Sequence, residues 1–323
     1  MRIVRILFTS AGRRVELINC FRAAASRMGV LVEIHACDLS PDFSAACLIA
    51  DASFQVPRCT DRTYIPLLLD YCEYERIDLL VPTIDTELDA LSRARELFMQ
   101  IGTQVHVSTP ETIDIVRDKS LTVAVLAAAG VPVPRTERLE QLGEGAMEWS
   151  GPLFVKPVAG SASRGIAVLQ GTHEVRSDYD EPMLAQELLS GHEYTINLYV
   201  SEHGHMLSAI PHRRLSVRAG EVEKGRTVRD MRFIAIAERI VGALPGARGV
   251  LCFQLIDDPV RGPCVFEINA RFGGGYPLAD HAGGRFAESL IDRVLGRPEC
   301  ATMNWREGVT MVRYDSAVFH DRP

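Results

Sequence analysis

The sequence predicts an α/β protein, with a parallel, Rossmann-like sheet at its N-terminus followed by an α+β region of two parts. Three observations carry this. Over the first third, apolar, β-branched runs alternate with segments of helical periodicity, the signature of βαβ units. Those runs are apolar nearly throughout, as in a sheet covered on both faces. From Pro152 onward, strand signals come in close pairs, as antiparallel strands do. The 323 residues suffice for about two domains.

In order, residues 3–10 (IVRILFTS) read as a strand and 12–28 as a helix. Then come a strand at 31–39, a helix at 60–76, a strand at 77–83, a helix at 85–100 and a strand at 103–109. At Thr109-Pro110 the rhythm changes. Residues 110–130 read as helical, with a break near Asp118 and Gly130 as the stop. An extended linker, VPVPRT, follows. Strand signals pair at 152–158 with 165–170, and at 182–188 with 193–200. Residues 228–244 read as a helix, and 249–258 and 263–271 as a hairpin turning at PVRG.

The net charge of −7 argues against a nucleic-acid protein, whose footprint is a basic face. No apolar run approaches the ~18 residues of a membrane span. The N-terminus reads as a first strand and not as a signal peptide. Eight cysteines show no C-x-x-C pair, so neither a zinc site nor a redox pair is indicated. Free cysteines inside apolar runs suit a reduced, cytoplasmic protein. His203 and His205 read as solvated turn residues. A homodimer is compatible with the sequence.

The chemistry gathers in three places. Lys156 ends a buried strand, LFVKP, and the small-residue loop Gly160–Gly165, with Ser161, Ala162 and Ser163, leads into another strand. Such a hairpin can fold over a triphosphate. Its N–H groups would form an anion nest while the lysine supplies charge from below. In AQELLSGHE, main chain beside Leu188 and Leu189 can offer an apolar slot and amide groups to a purine edge, and Glu193 can reach ribose hydroxyls. In CFQLIDD and CVFEINAR, the oxygens of Gln254, Glu267 and Asn269 can share one face of paired strands. Glu267 and Asn269 are two apart and point the same way. Hard oxygen ligands suit Mg²⁺, and Arg271 continues that face.

In this order and spacing, the pieces resemble the ATP-grasp superfamily, in particular one module of the large subunit of carbamoyl-phosphate synthetase. The shared features are Lys119 (RDKS), Lys156 (VKP), the flap GSASRG, QELLSGHEYT and FQLIDD…FEINARFGGGYPLA. That subunit also has Gln ahead of the E-x-N pair and Arg two residues after the Asn. This chain has one grasp module instead of two, so the nucleotide role transfers and the carbamoyl-phosphate reaction does not.

The resemblance implies a pre-ATP-grasp α/β domain over 1–112, a small grasp subdomain with the phosphate flap over 113–190, and a large one with the metal and substrate site over 191–323. It implies ATP and Mg²⁺ as cofactors, with Mn²⁺ able to substitute. Lys119 and Lys156 bind phosphates, with Ser161, Ala162 and Ser163 in the flap. Gln186, Glu187, Leu188 and Leu189 form the adenine hinge, and Glu193 binds ribose. Gln254, Glu267 and Asn269 hold one or two metals. Arg271 touches the γ-phosphate and an acyl phosphate.

For the substrate, the loop after the first strand can hold a carboxylate or phosphate through Ser10, Ala11, Gly12 and Arg13. Arg14 reads equally as a solvated helix residue. With Gly12 as its lone glycine, this loop lacks G-x-G-x-x-G, which weighs against a dinucleotide site with Asp38 on the ribose. Thr83 or Asp85 can cap the helix that follows the strand ending VPT, and Asp85 or Glu87 could also hold a substrate amine. Arg213 or Arg214 is the candidate for pairing with a substrate carboxylate. The reading is an ATP-dependent carboxylate–amine ligase acting on small acids and amines such as amino acids. The alternatives are phosphorylation of bicarbonate or carbamate, and a nucleotide-binding regulator without turnover.

Overall fold

The computed structural model describes residues 2–142, 149, 151–159, 165–176 and 178–321. The N-terminal sheet comprises β1 (Ile3–Thr9), β2 (Leu31–Asp38), β3 (Ala52–Gln55), β4 (Leu79–Pro82) and β5 (Gln104–Val105), all parallel, in the order β3-β2-β1-β4-β5. Helices α1 (Val15–Met28), α2 (Ala45–Ile49), α3 (Tyr64–Glu75) and α4 (Leu88–Gln100) cover it. Val4, Ile6, Leu7 and Phe8 of β1 are all fully buried. Phe8 packs edge-on against Phe21 of α1, and Leu7 belongs to the opposite cluster with Leu68 and Leu91. This two-sided burial is why β1 carries no polar alternation. α2 and β3 were not foreseen. α2 is a five-residue helix capped by Ser44, and β3 is a four-residue edge strand that is partly exposed. The strand expected over 103–109 pairs over only two residues, β5.

The helical stretch 110–130 is two helices, α5 (Pro110–Arg117) and α6 (Lys119–Ala128), broken at Asp118 as expected. Asp118 has extended backbone, and its carboxylate accepts the N–H groups of Ser120 and Leu121. This N-cap restarts the helix at Lys119.

A four-stranded antiparallel sheet follows, from β6 (Thr136–Arg138), β7 (Leu153–Pro157), β8 (Ala167–Leu169) and β9 (Met183–Glu187), in the order β6-β9-β7-β8. A six-stranded sheet completes the fold: β10 (His192–Val200), β11 (Met206–Arg218), β12 (Glu221–Thr227), β13 (Gly249–Asp258), β14 (Gly262–Asn269) and β15 (Thr310–Val312), in the order β14-β13-β10-β11-β12-β15. Helix α7 (Met231–Ala243), capped by Asp230, and helices α8 (Tyr276–Ala282) and α9 (Phe286–Val294) pack on it.

One expected pairing fails. β9 and β10 are not partners, because the connector Leu188–Gly191 carries the chain from the four-stranded sheet to the six-stranded one. Gly191 has φ 116°, and a Cβ there would lie 2.3 Å from the Asp257 carbonyl oxygen, so only glycine permits the crossing.

The halves share one core. The cluster around Leu68, Leu91 and Phe98 continues through Ile113 and Leu126 to Phe233, Leu251 and Phe253. Buried His106, just beyond β5, accepts the Val250 N–H at 2.7 Å. Burial holds it neutral, with its pKa lowered to about 3.

Candidate active site

The six-stranded sheet has one polar face. In register, Thr195 lies opposite Gln254 and His212, Gln254 opposite Glu267, and Cys252 opposite Asn269. The period of two then places Glu193, Asn197 and Arg214 on this same face. Their neighbours Ile196, Leu198 and Val200 point into the core. The four-stranded sheet brings Lys156 to this face. Its side chain is 5% exposed, and Nζ donates to the Phe266 carbonyl at 3.3 Å. Burial lowers its pKa to about 7, against the opposing pull of Glu267 and together with the repulsion of Lys119. Lys119 is likewise lowered by burial, with Glu267, Asp85 and Glu181 opposing. The two lysines and Glu267 thus form one electrostatic group. Positive charge is held partly desolvated where a polyanion would restore it.

Arg271 is 14% exposed on its side chain. Its Nη2 donates to Asn269 Oδ1 at 3.1 Å and to Asp85 Oδ2 at 2.7 Å, and Nη1 donates to the Phe272 carbonyl at 3.1 Å. Burial works against its charge, but Asp85 and Glu267 hold its pKa above the ordinary arginine value. The N-terminal half therefore grips the arginine that the sequence placed beside the metals. Asp85 and Thr83 are not side-chain caps. Thr83 Oγ1 donates to the Ser10 carbonyl at 2.6 Å, and the cap role falls to Glu87, whose carboxylate accepts Thr83 N–H at 2.8 Å and Ile84 N–H at 3.2 Å. Glu87 is fully buried and also accepts from Tyr64 and Ser10. It is structural, with no side left for a substrate amine.

Gly12 sits in the first loop, where its N–H donates to Asp38 Oδ2 at 2.8 Å. Asp38 thus braces this loop rather than standing ready for a ribose. Arg13 is exposed, whereas Arg14 reaches inward. Arg14 Nη1 pairs with Glu221 Oε1 at 3.0 Å, and Arg313 Nη1 pairs with Glu221 Oε2 at 3.1 Å. Arg313 Nη2 also donates to the Gly274 carbonyl. The loop Gly273–Gly275 has no room for side chains. A Cβ would lie 2.9 Å from Cys252 Sγ, 2.8 Å from the Glu221 carboxyl, or 2.5 Å from His212 Nε2, respectively. The sequence left Arg14 equally a solvated helix residue, and Arg313, just after a short edge strand, was not singled out. The glycine run in ARFGGGYP was the available signal that side chains converge there.

The hinge residues divide. Gln186 is buried and donates to Thr136 Oγ1 at 2.8 Å. The Glu187 carboxylate pairs with Arg261 Nη1 at 2.5 Å and accepts Arg135 N–H. Both side chains are thus engaged within the protein. Ser161, Ala162 and Ser163 lie outside the described residues. The flap strands are antiparallel, with Val155 opposite Ala167, so the loop does lead into a strand.

The two arginine candidates part as well. Arg213 is turned to the other face, where Nη2 meets His192 Nδ1 at 3.0 Å on an exposed edge. Arg214 lies on the polar face, but its Nη1 pairs with Glu193 Oε1 at 2.8 Å, so it meets a residue of the protein where a substrate carboxylate was expected. Burial raises the Glu193 pKa, with Arg214 opposing and Glu267 adding to it. On the far side of Asp85, Arg117 Nη1 donates to the Asp85 carbonyl at 2.5 Å. Arg117 also lines a cleft of about 730 Å³ with Arg62, Thr86, Arg93 and Ala159.

Gln254, Glu267 and Asn269 offer one carboxylate and two amide oxygens, a hard donor set that suits Mg²⁺ completed by nucleotide phosphates. Among the described residues, no group of three or more His, Cys, Asp or Glu could hold a metal without such help.

Fold and site together define a nucleotide-dependent ligase class. Comparison with known proteins makes the assignment. A PylC-like N-terminal domain matches residues 6–106 and an ATP-grasp domain matches 116–275. The vancomycin B-type resistance protein VanB of Enterococcus faecalis is 24% identical over 264 residues, 72% of this chain and 77% of that protein. Biotin carboxylase of Campylobacter jejuni superimposes with a TM-score of 0.72 at 16% identity, covering 94% of this chain and 73% of the other. L-amino acid ligase of Bacillus licheniformis gives a TM-score of 0.67 at 17% identity, covering 91% and 75%. Structural likeness at these identities carries the fold alone. The chain belongs to the ATP-grasp superfamily and is an ATP-grasp ligase, of the kind that uses ATP and Mg²⁺.

Proposed function

We propose that this protein joins a small carboxylate to an amine through an acyl phosphate, releasing ADP and phosphate. The observation that carries the reading is the convergence of Lys119, Lys156, Glu267, Asn269 and Arg271 on one polar face. The main-chain connector Leu188–Leu189 and Glu193 lie at its edge. Gln254, Glu267 and Asn269 would hold Mg²⁺, which neutralises phosphate charge when bound. Lys119 and Lys156 bind the phosphates, and Arg271, fixed by Asp85 and Asn269, stabilises oxygens in transfer. The carboxylate attacks the γ-phosphorus and ADP leaves. The amine then adds to the acyl carbon, phosphate departs and the amine proton goes to solvent. Positioning and charge neutralisation suffice, with no nucleophilic side chain. The likeness to a D-alanine–D-alanine ligase of Chromohalobacter salexigens, 28% identical over 116 residues (32% of this chain, 34% of that protein), favours amino acids as substrates. The cleft beside Arg117 is a route by which one of them can approach.

The domain division at 1–112, 113–190 and 191–323 is part of the same proposal, with nucleotide held between the second and third segments. The test is ADP release across amino acids, singly and in pairs, with bicarbonate in a separate arm and product mass measured. Release with bicarbonate alone, or no release with any acceptor, would remove the carboxylate–amine reading.

A further inference from the structure

Arg214 is held as few surface-sheet arginines are. It sits one step along from the Tyr194–Arg213 pair in the β10–β11 ladder, where it meets Glu193. Its side chain is 5% exposed, Nη1 pairs with Glu193 Oε1 at 2.8 Å, and Nη2 donates to the Gly220 carbonyl at 2.9 Å. Nε is buried without a hydrogen-bond partner. The guanidinium has therefore given up most of its water and is pinned at both ends. A buried N–H left unmade is costly, and Glu193 is the carboxylate that compensates the charge. Nη1 and Nη2 each spend an N–H within the protein, and Nε is buried, so the guanidinium is committed to Glu193 and the main chain.

Glu193 stands on the polar face beside Glu267, which disfavours its charge. A long, half-buried carboxylate beside another would turn toward water. The arginine across the ladder keeps it turned inward, and the bond is made through Oε1.

We propose that Arg214 is a positioning residue that fixes the Glu193 carboxylate for the ribose hydroxyls of the nucleotide, and so sets a preference for a ribonucleotide. The inference rests on the nucleotide site described above. It predicts that losing Arg214 removes recognition of the sugar while leaving recognition of the phosphates and base.

The test is calorimetric binding of ATP and of 2′,3′-dideoxy-ATP, each with Mg²⁺, to the full chain and its variants. Wild type should prefer ATP by about tenfold or more, the range of a hydrogen bond to a charged group. Arg214→Met should weaken ATP about tenfold, down to the dideoxy value, and leave dideoxy binding nearly unchanged. Arg214→Lys should recover part of the preference. In ADP release, KM for ATP should rise while kcat at saturating ATP changes less than threefold. If Arg214→Met weakens both nucleotides equally, or keeps the preference for ATP, the positioning role is wrong. Glu193→Gln gives the same readout if Arg214→Met does not fold. A wild type that binds ATP and dideoxy-ATP alike sinks this inference and leaves the nucleotide site standing. A wild type that binds neither sinks both.

Discussion

Replacing Lys156 by methionine should make the nucleotide-free protein more stable while destroying its affinity for ATP. The lysine is buried with its pKa lowered from 10.5 to about 7. Below the folded value the protein carries a buried charge that the unfolded chain would hold in water, at a cost of about 1.4 kcal/mol for each tenfold of displaced proton affinity. That makes the penalty on the order of a few kcal/mol at pH 7. The hydrogen bond to the Phe266 carbonyl returns about 1 kcal/mol, so methionine of similar length should still gain. The sign of the pH dependence follows from proton counts. Between about pH 7 and 10.5 the unfolded lysine binds a proton that the folded one has lost, so wild-type stability rises with pH through that window. Methionine has no such slope. The advantage of Lys156→Met should therefore be largest at pH 7 and below, several degrees in melting temperature, and nearly vanish by pH 10. Thermal melts without nucleotide or metal at pH 7, 8.5 and 10 measure it, and added ATP with Mg²⁺ should stabilise wild type alone. A variant that melts at or below wild type at pH 7, or whose advantage does not shrink with pH, refutes the reasoning.

Other outcomes follow from the same geometry. Glu267→Gln should abolish ADP release while leaving the fold intact, and near-normal turnover with Mg²⁺ would remove the metal assignment. Arg271→Lys should lower kcat by roughly 100- to 1,000-fold, the usual cost of losing one transition-state donor, with ATP affinity changed less than about tenfold; retained kcat would make this arginine purely structural. Glu87→Gln should cost about 3 kcal/mol, because the amide turns an N–H toward donors that now meet a carboxylate, and an unchanged denaturant midpoint would contradict the buried-acid account.

The fold was legible where local physics acts alone. The β1–α4 alternation, the break at Asp118 and the hairpin of β13 and β14 were all readable, because periodicity, an N-cap and a short turn are written within a few residues. α2, β3 and the true partner of β10 were not, since a short edge strand and a change of sheet depend on tertiary packing. The site divides the same way. The period of two put Glu267, Asn269 and Arg271 together. Sequence could not show that Asp85, 186 residues earlier, would hold Arg271. Nor could it show which of two adjacent arginines faces Glu193, because a strand's absolute phase is set by its neighbours. Arg13 and Arg14, at the start of α1, part because tertiary contact decides which reaches Glu221 and which stays exposed.

The ion pairs that join the two ends of the chain constrain how such enzymes can be recombined. A crossover near Pro110, between the two matched families, would separate Asp85 from Arg271 and Arg14 from Glu221. A chimaera that inherits one member of each pair buries a charge without its counter-ion, a defect worth several kcal/mol. Exchanging N-terminal modules among relatives should therefore succeed only where these distant residues travel as matched sets, whatever the similarity of the sequence at the junction.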